Sequence, residues 1–289
     1  MSTLLMFPGQ GSQRVDMCAP VAERHPHEIN CVSEILGFDL VEIAAQPDLL
    51  RDTRYLQPAL FVVEYFDYLD HWADIEDEVI FAGHSVGEVT ALCAAGAFEF
   101  FDGLRLVNER ARAMHEVRDG AMAAVMRISR AELDALLEEF PDVDVANLNG
   151  YTQFVLSGPT ECLEELCDRI DDLDGLAVTL RVSGPFHSRY MRAAAARFTE
   201  TLAGITLSTP AHTVLSNVTA RPYGNVPELL ARQLYSPVDW TSLVEYAVGS
   251  GADTFIEVAP GSVLSGIATR MNDSAGWGAR IVTGDAYAV

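Results

Sequence analysis

The chain contains no lysine: all 19 basic residues among its 289 are arginine. That excludes a Schiff-base lysine and a phosphate-loop lysine from its chemistry. Positive charge is scarce altogether, with 42 acidic residues setting the formal charge at -23. A surface of that sign repels nucleic acid and anionic lipid, so neither a nucleic acid nor a membrane is expected as a partner. The five cysteines, at 18, 31, 93, 162 and 167, are odd in number and never spaced Cys-x-x-Cys. Neither a disulfide framework nor a metal site is expected from them, and a cytoplasmic location fits. No apolar run reaches the length of a membrane span. The stretch Met1–Phe7 is apolar but lacks a basic flank and breaks at Pro8-Gly9, so it reads as a buried first strand rather than a signal peptide. There are no repeats, low-complexity segments or linkers.

The chain does carry ample core material, 49% hydrophobic against 21% charged, enough for one large domain or one domain with an insertion. Its organising stretch is Val79 to Ala91. The apolar run Val79-Ile80-Phe81-Ala82 meets Gly83-His84-Ser85-Val86-Gly87-Glu88 and passes directly into a helical pattern. Gly-x-Ser-x-Gly between a strand and a helix is the pattern of a nucleophile elbow. The glycines admit a turn in which backbone segments crowd together, and the serine, Ser85, is presented at a helix N-terminus that favours developing negative charge.

Upstream, Thr3 to Phe7 predicts a strand ending in Pro8-Gly9-Gln10-Gly11-Ser12-Gln13, a backbone-exposing loop of the kind that builds sites at carboxyl ends of parallel strands. Asp16 to Asp52 reads as helices and loops, and Gln57 to Tyr65 as a helix. After the elbow helix, a second helix from Phe101 has Leu104, Val107 and Ala111 on its buried stripe, which leaves Arg105, Arg110 and Arg112 on other faces. Residues 121–182 alternate strand, helix, strand, strand, helix, strand. Ser129-Arg130-Ala131-Glu132 predicts a capping box, Asn149-Gly150 a turn, and Thr160 the cap of a helix with Leu163, Leu166, Cys167, Ile170 and Leu173 on one face. That order predicts a ferredoxin-like unit. The expected fold is α/β, a hydrolase-like parallel-sheet core formed by residues 1–120 and 183–289 with an inserted ferredoxin-like subdomain at 121–182. Thr254 to Val258 reads as the last strand, followed by a helix from Val263.

A serine hydroxyl needs a base within hydrogen-bond reach. Among the seven histidines, His84 adjoins the serine, but adjacent side chains diverge in a tight elbow, so it suits the pocket better. His187 follows a strand and a loop fixed by Gly184-Pro185, where an α/β fold gathers its reactive groups.

Five co-linear segments, Phe7-Pro8-Gly9-Gln10-Gly11-Ser12-Gln13, Gly83-His84-Ser85-Val86-Gly87-Glu88, Phe186-His187-Ser188, Ser216-Asn217-Val218-Thr219 and Gln233-Leu234-Tyr235-Ser236-Pro237-Val238-Asp239-Trp240, together resemble the malonyl-CoA:acyl carrier protein transacylase family, including its free-standing members that serve polyketide synthases in trans. The resemblance implies Ser85 as nucleophile, His187 as base, the backbone N–H groups of Gln10 and Val86 as an oxyanion hole, and the Gln233 carbonyl as the group that orients His187. It implies Arg110 as the grip on the malonyl carboxylate, with Arg112 its nearest competitor, and Phe186 as the ring that fills the place of an α-methyl. It also implies a malonyl-CoA substrate and ping-pong transfer to the phosphopantetheine of an acyl carrier protein, with no bound cofactor; nothing in the sequence suggests an obligate interface, so a monomer is expected. Pro185, where alanine is commoner, leaves room for a non-malonyl acyl unit passed between carriers, and a carrier hydrolase is a further alternative. Arg181, Arg189, Arg192 and Arg197 near His187 form the expected basic patch for an acidic carrier.

Overall fold

The computed structural model describes residues 2–284. Met1 and 285–289, placed with the core from sequence, lie outside the described residues. Strand β1 (Ser2–Phe7) is fully buried. Short helices α1 (Ala19–Arg24), α2 (Pro26–Leu36) and α3 (Leu40–Ala44) lead to α4 (Thr53–His71), which starts earlier and ends later than the apolar run predicted. Strand β2 (Glu78–Gly83) runs into α5 (Gly87–Ala94), and α6 (Phe100–His115) follows.

Next come β3 (Ala121–Met126), α7 (Arg130–Glu139), β4 (Asp144–Leu148), β5 (Gln153–Gly158), α8 (Thr160–Asp171) and β6 (Leu176–Thr179). These strands form an antiparallel sheet in the order β4-β5-β3-β6, the ferredoxin-like arrangement predicted. The capping box of Ser129 and Glu132 is present. Thr160 is not a cap: Pro159 holds the N-cap position and Thr160 is the first helical residue. Leu173 falls beyond the helix and is 54% exposed, because the buried stripe ends at Ile170.

The chain then returns through α9 (Arg192–Leu202), β7 (Thr213–Leu215), α10 (Val226–Gln233), α11 (Trp240–Gly249), β8 (Ala252–Glu257), α12 (Val263–Ala275) and β9 (Arg280–Thr283). The second sheet is parallel throughout, ordered β7-β2-β1-β8-β9. The pattern that predicts β8 as the last strand does not show β9, a four-residue edge strand.

Strand periodicity divides the core. Leu5, Phe7, Val79 and Phe81 face one side, packed with residues of α4, α5, α6 and α9. Leu4, Met6, Ile80 and Ala82 face the other, packed with residues of α11 and α12. Both faces of the parallel sheet are thus covered, as an all-parallel sheet requires. The ferredoxin-like sheet buries Ala123, Val125, Phe154 and Leu156 under its own helices, while Met122 and Val155, on its opposite face, join the core that holds Leu5 and Phe7. Among the described residues, no helix is long and apolar enough to cross a membrane.

Candidate active site

Strand β2 delivers Ser85 to the rim of the parallel sheet, and the two glycines allow the turn. A Cβ on Gly83 would lie 2.0 Å from the Gly87 carbonyl, and one on Gly87 would lie 2.2 Å from the Phe7 oxygen. Ser85 itself sits at φ 55° and His187 at φ 57°, a left-handed conformation that costs a non-glycine residue about 1–3 kcal/mol and gathers at functional sites.

Ser85 Oγ lies 2.7 Å from His187 Nε2. On the other edge of the imidazole, Nδ1–H donates to the Gln233 carbonyl at 2.9 Å, which fixes the tautomer and leaves Nε2 as acceptor for the serine proton. Asn217 anchors the elbow: its Oδ1 accepts from Ser85 N at 2.9 Å, and its Nδ2 donates to the Gly83 carbonyl at 2.6 Å.

Arg110 is 1% exposed. The apolar stripe of α6 leaves it, with Arg105 and Arg112, on other faces of the helix, from which at least one arginine can point into a cleft. Those two do stand at the surface, paired with Asp102 and Glu109, whereas Arg110 turns inward. Its Nη1 donates to Gln57 Oε1 at 2.5 Å, and its Nη2 donates to Gln233 Oε1 at 2.8 Å and to Ser85 Oγ at 3.2 Å. Its Nε is buried without an acceptor. Burial lowers its pKa to about 10, so it remains a cation at neutral pH. Phe186 is buried beside His187.

Beneath the site lies Glu88, the last residue of the elbow motif, to which the sequence pattern assigns no role. Its Oε1 accepts from Asn217 N at 2.7 Å, and its Oε2 accepts from Gln233 Nε2. Burial raises its pKa to about 7 despite the hydrogen bonds and the nearby Arg110 cation, which oppose the rise. Gln233 Nε2 also donates to the Ser85 carbonyl at 2.7 Å. Gln233 therefore serves the site twice, through its carbonyl on His187 and through a side chain that ties Arg110 to the elbow.

The remaining expected residues are more dispersed. Val86 is the N-cap of α5. Gln10, in the loop after β1, accepts from Thr53 Oγ1 at 3.1 Å through its side chain. His84 turns to the β4–β5 connection, where its Nε2 meets Asn149 Oδ1 at 2.9 Å, and its ring lies 5.5 Å from Trp240. The four arginines do not form a free patch: Arg189 pairs with Asp144 and Arg197 with Glu116. Arg192 lies over the Tyr235 ring at 4.5 Å, and Arg181 is exposed. A cavity of about 530 Å³, lined by Asp144, His187, Arg192, Tyr235 and Pro237 among others, opens on the imidazole.

A hydroxyl on a strand-to-helix elbow, within hydrogen-bond reach of an imidazole at the rim of a parallel sheet, is the arrangement of the serine-nucleophile class of α/β enzymes. The acyl transferase domain family matches residues 4–283, and the chain belongs to that family. It is 40% identical to the polyketide biosynthesis protein ThaF of Burkholderia thailandensis over 90% of its own length, but it spans only 23% of ThaF. It is 37% identical to the polyketide biosynthesis malonyl CoA-acyl carrier protein transacylase PksC of Bacillus subtilis, over 93% of this chain and 97% of PksC. The solved malonyl CoA-acyl carrier protein transacylase of Clostridium perfringens overlays with a TM-score of 0.88 at 32% identity, covering 98% of this chain and 93% of that one.

Proposed function

We propose that the protein moves a malonyl group from malonyl-CoA, through an ester on Ser85, to the phosphopantetheine thiol of an acyl carrier protein. The observation that carries this reading is the position of Ser85 Oγ, within hydrogen-bond reach of both His187 and Arg110. Acylation begins when His187 Nε2 takes the Ser85 proton as Oγ attacks the thioester carbonyl carbon. The resulting oxyanion is held by the backbone N–H groups of Gln10 and Val86. The carbon–sulfur bond breaks, and the His187 proton passes to the departing thiolate. The carrier thiol then gives its proton to His187, attacks the ester and regenerates Ser85. The acyl group travels on the protein's own serine, while phosphopantetheine arrives with the partner. Residues 121–182 act as the inserted unit that closes the site, and the reducing cytoplasm is the proposed setting.

Arg110 supplies the selectivity. Its unpartnered Nε, with an Nη shared between Ser85 and Gln233, suits a carboxylate that accepts two parallel hydrogen bonds. Pro185, the one hint of a different acyl group, packs at the return from the inserted unit: a Cβ on Gly120 would meet its ring at 2.9 Å. The test is intact-protein mass spectrometry after brief exposure to malonyl-CoA, methylmalonyl-CoA and acetyl-CoA in competition. A malonyl-sized adduct that passes to an added carrier protein is expected, and no malonyl adduct would overturn the reading. In Arg110→Ala, kcat/KM for malonyl-CoA should fall about 10²- to 10³-fold while acetyl-CoA is little affected. An unchanged preference would remove Arg110 from the assignment.

The base is expected to stay neutral. Burial first, then the Arg110 cation, push His187 down to about 3, against the opposing effect of its backbone hydrogen bonds to Gln233 and Ser236 and with a small further lowering from His84. By nuclear magnetic resonance its imidazole should show no protonation between pH 8 and 5, and a titration near 6.5 would contradict that. Because the unfolded imidazole takes a proton near 6.5, His187 makes the fold less stable as pH falls from there toward 3. Glu88 acts in the opposite sense. Raised to about 7, it holds a proton that the unfolded chain has released, so its contribution declines as pH rises from about 4.5 through 7.

A further inference from the structure

A groove of about 730 Å³ lies between α9 and α10, within the size range of small-molecule sites. It is lined by Arg192, Ala195, Thr199, Glu228, Arg232 and Tyr235, among others. Arg192 and Tyr235 also line the cavity that opens on His187, so the two hollows share a wall. Tyr235 belongs to the same turn as Gln233, whose carbonyl holds the imidazole. Arg192 and Tyr235 therefore border both the hollow at His187 and the groove.

The charges there are unusual for this chain. At -23 overall, its long-range field repels anions, and several surface arginines are paired with carboxylates. In the groove, neither Arg192 nor Arg232 makes an ion pair among the described residues, and Arg192 is presented by its stacking on Tyr235. Glu228 is the one carboxylate in the lining. Two guanidinium groups at a hollow beside a thioester site suit a phosphate, which offers the planar fork several acceptor oxygens.

We propose that the α9–α10 groove binds the phosphate end of the thioester carrier, through Arg192 and Arg232, while the thiol end lies at Ser85 and His187. This deepens the malonyl-transfer reading and rests on it for the identity of the ligand. Coenzyme A and carrier-borne phosphopantetheine share this phosphate chemistry, and the arms of the test distinguish the two sources.

The test is isothermal titration calorimetry with coenzyme A, with a phosphopantetheine-loaded carrier protein, and with pantetheine, which lacks phosphate. In the Arg192→Ala/Arg232→Ala double variant, affinity for coenzyme A, the loaded carrier or both should weaken about tenfold, two exposed charge pairs of roughly 0.7 kcal/mol each, with pantetheine unchanged. Loss with both ligands assigns the groove to the shared phosphate. Loss with coenzyme A alone assigns it to the nucleotide end, and loss with the carrier alone to the carrier's phosphodiester. Glu228→Gln, on an exposed helix position, should change affinity in the opposite direction by removing repulsion, which guards against a double variant that merely folds poorly. Equal weakening with pantetheine, no weakening with either phosphate ligand, or no effect of Glu228→Gln would overturn the proposal. Calorimetry reads binding without acyl transfer. Arginine-dependent binding with no acyl group on Ser85 would sink the functional reading and keep the groove; an acylated Ser85 with arginine-independent binding would do the reverse.

Discussion

Replacing Ser85 with alanine is expected to abolish the acyl adduct and to cut transfer by about 10⁴- to 10⁶-fold, with His187→Ala costing about as much. In the proposed mechanism both side chains act on one proton across the 2.7 Å contact, so once either is gone the other has nothing to do. The double variant should therefore be no slower than the worse single one, a departure from additivity that marks residues working as a unit. The fold should survive. Without the Ser85 hydroxyl, Arg110 keeps its bonds to Gln57 and Gln233, and the elbow keeps its backbone ties to Asn217. Single-turnover transfer from malonyl-CoA, read by intact mass beside a melting curve, checks both halves. An acyl adduct on Ser85→Ala, or losses that multiply in the double variant, would displace the pair from the chemistry.

The parts of this site that lay open in the sequence are those set by local rules. Gly83 and Gly87 bracket Ser85 because a strand must turn into a helix in a few residues, and His187 follows a loop stiffened by Gly184-Pro185. Arg110 illustrates what local rules leave out. Helical periodicity assigns burial to apolar positions, but α6 packs against both α4 and α9, so more than one of its faces is enclosed and a charged residue can be interior. Glu88, Asn217 and Gln57 were equally hidden as a set, since a buried polar side chain is explained only by partners from distant segments, as with the bond from Asn217 N to Glu88, 129 residues apart. The signal available was the presence of Glu88 and Asn217 inside the quoted motifs. Strand β9 was missed because its four residues, Arg280–Thr283, are exposed or half-buried, and it is defined by pairing with β8 rather than by its own pattern. Two of the four arginines of the expected patch, Arg189 and Arg197, are ion-paired because in so acidic a chain carboxylates such as Asp144 and Glu116 are close at hand.

Gly87→Ala is expected to destabilise the protein by more than about 3 kcal/mol, lowering Tm by at least about 5 °C for a chain of this size. The usual sign is the reverse. Gly87 opens α5, and its φ lies outside the left-handed region, so alanine would ordinarily improve the helix and reduce the freedom of the unfolded chain. Here the added Cβ would lie 2.2 Å from the Phe7 oxygen and 2.4 Å from the Pro8 oxygen. Both atoms are backbone, at the end of β1, the middle strand of the parallel sheet, so no side-chain rotation relieves the clash. Either β1 or the elbow must move, and the loop carrying Gln10 moves with β1. Residual folded protein should therefore lose activity beyond what its lower stability explains. Gly204→Ala is the control, since its Cβ would meet only the Thr201 oxygen at 3.5 Å, an ordinary contact. Denaturant unfolding of the two variants beside the parent decides the matter. If Gly87→Ala proves as stable as Gly204→Ala, the close approach of β1 to the elbow is not what positions Ser85.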